Sequence, residues 1–206
     1  VLPEHTTNDN AFTLLDAIRY LPTRYYDDEM REQLIEFAAY FAAGDNTRLK
    51  TAALEYLREA QRSVECGHPH MDRIVDIARS TPGSELTTDF LRCKILSAAG
   101  EDVSELEQRL YSTDITSEVF LDNLKNATPW VVKVAGVELL LDQVERGVDT
   151  QALHIATHFS NLMQVSETVV VRRLAGKALL GMAQVLTPAR RNEIAVEMTK
   201  TLETGQ

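Results

Sequence analysis

Apolar residues recur every three or four positions along nearly the whole chain, and no segment alternates with period two. That pattern predicts helices throughout and no strands. A first helix fits 10–20, closed by Pro22. A second fits 27–43, where Asp27, Asp28 and Glu29 complement the dipole at its start and Gly44 ends it. Asp45 or Asn46 then caps a third, reaching about Cys66, and a shorter fourth runs from His70 to Ser80 before Thr81-Pro82-Gly83. Ser84 caps a fifth, to Ala99, and Asp102 with Glu105 has capping-box spacing for a sixth, to about Tyr111. A seventh fits 116–126. Thr128-Pro129 supplies an N-cap with proline at the first helical position for an eighth, ending near Arg146-Gly147. Asp149 caps a ninth to about Gln164, 167–186 makes a tenth, and Thr187-Pro188 repeats the Thr-Pro signal for an eleventh.

Short helices joined by short loops suit stacked antiparallel pairs, and such stacks leave repeats in the sequence. Residues 131–140 (VVKVAGVELL) align without a gap on 171–180 (VRRLAGKALL), with five of ten positions identical and Lys133 opposite Arg173. Leu91-Arg92, Ile95 and Ala99 take the same spacing, as do Leu49-Lys50, Ala53 and Leu57. The leading residues Leu49, Leu91, Val131 and Val171 are therefore 42, 40 and 40 positions apart. Each copy places apolar or small residues at i, i+4 and i+8, one stripe of a helix. Ala53, Ala135 and Ala175 at its centre predict close approach by a neighbouring helix.

On these residues, Val171-Arg172-x-x-Ala175-x-x-x-Leu179 above all, the chain resembles the HEAT-repeat (armadillo-like) family of α-solenoids. The resemblance is strongest over 115–203. The family's basic position is Arg172, Arg92 and Lys50 here but Val132 in the third copy, so a continuous basic ladder is interrupted. The resemblance implies an all-α fold, an α-α superhelix of stacked antiparallel helix pairs with a period of about 40 residues. It places one solenoid domain over 1–206, with repeat units near 27–67, 69–111, 115–147 and 149–186 and terminal helices at 10–21 and 187–203. It further implies a curved scaffold that binds other proteins. A minority of proteins resembling the family are enzymes, DNA-repair glycosylases among them.

Composition narrows the choice. The net charge is −10 over 206 residues, which opposes binding to a phosphate backbone or an anionic membrane. From Glu167 to Gln206 six Lys/Arg face four Glu, so this end carries +2 and the remainder −12. Two cysteines, Cys66 and Cys93, are too few for the framework of a small secreted domain, and no apolar run approaches bilayer length. A reduced, cytoplasmic setting is expected. The opening Val1, in place of methionine, suggests a piece excised from a longer protein.

Candidate chemistry is sparse. Glu65-Cys66-Gly67-His68-Pro69-His70-Met71-Asp72 offers four ligand types that zinc accepts, but alternating residues split by Pro69 wrap an ion badly. The segment reads as a turn with Gly67 at C′. His154 and His158 share the i, i+4 spacing of zinc hydrolases, yet Ile155 stands where their general base would be. Leu153, Ala156, Phe159 and Met163 predict the buried stripe, with the histidines beside it. No Gly-rich phosphate loop, nucleophile elbow or HExxH occurs, and the acidic pairs sit at helix starts, where the dipole accounts for them. Trp130 and the Tyr25-Tyr26 pair are either interface anchors or core. Arg172, Arg173 and Lys177, with Arg190, Arg191 and Lys200, form the one basic concentration. Arg190–Glu193 and Glu197–Lys200 have i, i+3 spacing for pairs within a helix.

The sequence thus predicts a protein- or peptide-binding scaffold that is not an enzyme, has no cofactor and holds no metal. Its partner would be an acidic protein segment at Arg172, Arg173 and Lys177, not nucleic acid or membrane. An accessory segment of a larger enzyme and, behind it, a HEAT-like DNA-repair glycosylase are the alternatives.

Overall fold

The computed structural model describes residues 3–20, 26–65, 67–83, 85–111, 119, 128–147 and 151–203. Among them it holds ten α-helices and no strand. Their spatial contacts cluster into two compact units, Val1–Leu110 and Tyr111–Gln206, where the sequence predicts one array.

The first unit contains α1 (Asn8–Tyr20), α2 (Asp28–Ala42), α3 (Thr47–Arg62), α4 (Pro69–Ser80), α5 (Leu86–Ala98) and α6 (Ser104–Leu110). Side-chain caps form at Asn46, as expected, and at Asp27, which the sequence places inside the first turn of α2. Asp27 accepts a hydrogen bond from Met30 N (2.8 Å), and Asn46 accepts one from Leu49 N (3.2 Å). Helix α3 stops at Arg62, short of the predicted Cys66, and α4 starts on Pro69 with His68 as its N-cap. Ser84 lies outside the described residues. Glu85 stands at the N-cap of α5 without a side-chain cap bond, and it accepts instead from Thr47 Oγ1 at the start of α3 (2.5 Å).

Each odd helix packs on the next odd one, α1 on α3 and α3 on α5, while α2 packs on α4; α2 and α4 also pack on α3, and α4 and α6 on α5. The repeat stripe is what this packing buries. Leu49, Ala53 and Leu57 of α3 and Leu91 and Ile95 of α5 are all buried. Ala99, the last stripe position of the second copy, is the exposed C-cap of α5. Buried polar groups join the same two helices: Gln61 Nε2 donates to the Ile95 carbonyl (2.9 Å), an acceptor in the last turn of α5. Between α2 and α4 the guanidinium of Arg73 meets Glu36 with two parallel bonds, 2.5 and 2.7 Å. These hydrogen bonds hold the Glu36 carboxyl below its usual range.

The second unit contains α7 (Trp130–Glu145), α8 (Ala152–Val165), α9 (Val169–Gly181) and α10 (Pro188–Glu203), with a 3-10 turn, Met182–Gln184, after α9. Here α7 packs on α9 and α8 on α10, and consecutive helices touch from α7 to α9. Val131, Ala135 and Leu139 of α7 and Val171, Ala175 and Leu179 of α9 are buried, so the stripe recurs. Pro129, not Thr128, is the N-cap of α7, and it offers no side-chain acceptor. The second Thr-Pro pair behaves as predicted, since Thr187 Oγ1 accepts from Arg190 N (3.3 Å). Of the predicted helix 116–126 only Val119 is described, helical and buried, and the predicted cap Asp149 lies outside the described residues. Among the described residues no helix is long and apolar enough to cross a membrane.

Candidate functional site

The basic position of the repeat has a structural task. In α5, Arg92 Nε donates to the Ala78 carbonyl (2.9 Å) and Nη2 to the Arg79 carbonyl (3.4 Å), both in the last turn of α4. In α9, Arg172 Nη1 donates to the carbonyls of Ser166 (2.7 Å) and Glu167 (3.3 Å), just past the end of α8. Helix C-termini present unpaired carbonyls and a negative dipole end, and a guanidinium near the start of the next helix satisfies both. Arg92 is further fixed by Asp89, which is fully buried and accepts from Arg92 Nη1 (2.8 Å) and from Arg109. Glycine is required beside this group: a Cβ on Gly83 would stand 2.5 Å from both Arg92 Nη1 and Asp89 Oδ1.

Arg172 is thus half-buried and turned onto backbone, whereas Arg173 and Lys177 are exposed. The two exposed cations are one turn apart and make no ion pair among the described residues. Val170 (41% exposed) precedes them and Leu180 (66% exposed) follows at three- and four-residue steps. These four side chains therefore fall on one stripe of α9, apolar at each end and cationic in the middle. The corresponding positions to Arg173 are filled differently elsewhere: Thr51 and Cys93 are buried, and Lys133 is half-buried.

Of the remaining basic residues, Arg190 is engaged and Arg191 is exposed. Arg190 pairs with Glu193 (2.9 Å), as its spacing predicts, and also donates to Thr157 of α8 (3.0 Å). Glu197 accepts from Ser160 of α8, which ties α10 to that helix.

The histidine pair of α8 is split by its environment. Ala156, Phe159 and Met163 are buried as expected, but Leu153 is 55% exposed, and His158 takes the buried face instead. His154 is exposed. Burial pushes the His158 imidazole down to about 4, so it is neutral at pH 7. The two rings do not act as a pair. Trp130 is half-buried at the start of α7. Tyr25 lies outside the described residues, while Tyr26 donates to the Ile18 carbonyl (3.3 Å). Tyr26 lines a small cleft of the first unit with Arg19, Arg31, Tyr56 and Glu59.

Of the segment around Gly67, Cys66 lies outside the described residues. Gly67 adopts a left-handed conformation (φ 85°), which the turn reading requires. His68 Nδ1 accepts from His70 N (3.2 Å), capping α4, and Asp72 is exposed. The group brought beside His68 and His70 is Asp28, at the start of α2 and forty positions away in the chain.

One repeat signal was missed in the sequence. Gln61 and Gln143 each stand twelve positions after the leading apolar residue of their copies, and both are buried. A glutamine recurring at the same offset from the leading apolar residue was the available sign. No protein-family model, no curated protein and no solved structure matches the chain.

Proposed function

We propose that the chain is a HEAT-like α-solenoid segment with a binding role and no catalytic one, and that it holds an acidic protein or peptide segment. The contact face is the stripe Val170–Arg173–Lys177–Leu180 of α9. Two features support the repeat reading: alternate helices pack within each unit, and Arg92 and Arg172 close the helix before them from equivalent positions. The observation that carries the binding reading is the exposed couple Arg173 and Lys177, without an ion pair among the described residues, on a chain that is otherwise strongly acidic. Exposed valine and leucine at the ends of the stripe give a partner apolar area to bury, and the cations select one with carboxylates between its apolar anchors. Arg172 contributes indirectly, by holding the end of α8 against the start of α9.

The test is a pull-down with the full chain, comparing wild type with Arg173→Glu/Lys177→Glu. Both substituted side chains point to solvent, so the helix content of the variant should equal that of wild type by circular dichroism. Loss of a partner that wild type retains, with capture weakening as salt rises, is the expected result. Equal recovery of every partner by both proteins overturns the proposal.

A further inference from the structure

The turn between α3 and α4 and the start of α2 bring three metal-ligating side chains together. Asp28, His68 and His70 each present a donor atom within 4.8 Å of the other two. His68 Nε2 stands 4.0 Å from Asp28 Oδ1, and the two imidazole centroids are 4.6 Å apart. His70 supplies the independent sign of a ligand. Its Nε2 is buried yet has no hydrogen-bond partner among the described residues. A shielded, unsatisfied imidazole nitrogen is costly unless something fills the position opposite it.

We infer that Asp28, His68 and His70 form a binding site for a divalent transition-metal ion of the zinc class. Two imidazoles and one carboxylate are a donor set that suits zinc, nickel or copper and does not suit calcium or magnesium, which take oxygen. Three protein ligands leave a position for water. The ion would join the α3–α4 turn to the first residue of α2. Closing from 4.8 Å to the spacing of ligands around a zinc ion needs side-chain rotation alone, because Asp28 is exposed and both imidazoles are half-exposed.

Two local groups oppose binding and set its strength. Arg31 Nη1 lies 3.5 Å from Asp28 Oδ1, so a cation already shares this carboxylate. The cap on α4 is the second. While Nδ1 of neutral His68 accepts from His70 N, its ring proton resides on Nε2. Coordination through Nε2 shifts that proton to Nδ1 through solvent and gives up the cap bond. The second bond at this start, from Met71 N to the His68 carbonyl (2.8 Å), is retained.

The full chain, purified without a histidine tag and stripped with chelator, is titrated with zinc chloride by calorimetry. Wild type is expected to take up one ion per chain and to gain thermal stability with added zinc. Asp28→Asn and His70→Gln are each expected to weaken that binding at least about tenfold and to abolish the thermal shift. Cobalt substitution should give the visible spectrum of a nitrogen- and oxygen-bound ion, absent in both variants. Asp28 is exposed, so Asp28→Asn keeps the test valid if His70→Gln fails to fold. Zinc uptake by Asp28→Asn equal to wild type, or no stoichiometric uptake by wild type, overturns the inference.

Discussion

Lowering the pH from about 7.5 to about 4.5 is expected to weaken the second unit by about 2.5 kcal/mol through His158 alone. The imidazole is 4% exposed, and burial pushes its pKa down to about 4. In the unfolded chain the same group titrates near 6.5. Above that value both states are neutral and His158 contributes no pH dependence. As the pH falls below it, the unfolded state takes up a proton that the folded state refuses, and stability declines. The slope approaches about 1.4 kcal/mol per pH unit until the folded group itself protonates near pH 4. Trp130, the one tryptophan of the chain, lies in the same unit, so its fluorescence during urea unfolding reads this region specifically. The full chain and His158→Leu are unfolded at both pH values. Carboxylates titrate in both proteins, and the difference between the two proteins isolates the histidine. Its expected change is about 2.5 kcal/mol, with leucine flattening the acid-side loss. Parallel pH dependences in the two proteins would refute the reasoning, because they would require His158 to protonate as readily folded as unfolded.

Two further outcomes follow from ion pairs of opposite exposure. Asp89→Ala leaves Arg92 and Arg109 facing a buried gap and is expected to cost about 3 kcal/mol in urea unfolding of the first unit; a loss below about 1 kcal/mol would show that this pair is not structural. The Arg73–Glu36 pair has better geometry but half-exposed partners, so a double-mutant cycle to alanine should give a coupling under about 1 kcal/mol that shrinks with salt; a larger, salt-independent coupling would contradict its exposure.

The helical character and the repeat stripe were legible because both depend on short-range periodicity. Leu49, Leu91, Val131 and Val171 are all buried, and the spacing alone located them. Caps were legible where a side-chain oxygen stood at the right place, as at Asn46 and Thr187, and misleading at Thr128, where the chain enters α7 through Pro129. The fate of each cation was not legible. Arg172 and Arg173 are neighbours in sequence, yet a rotation of about 100° per residue sends one onto the carbonyls of Ser166 and Glu167 and the other into solvent. Leu153 and His158 exchanged their expected places for a related reason, because the packing of a neighbouring helix, and not hydropathy, chose the face of α8. The Asp28–His68–His70 cluster could not be read at all, since its carboxylate comes from another helix.

The way Arg92 and Arg172 reach backwards ties the end of one helix to the helix that follows it, inside the stretches 69–111 and 149–186. A helix pair copied whole would carry both the arginine and the carbonyls it closes, and so would need no help from its neighbours to finish its first helix.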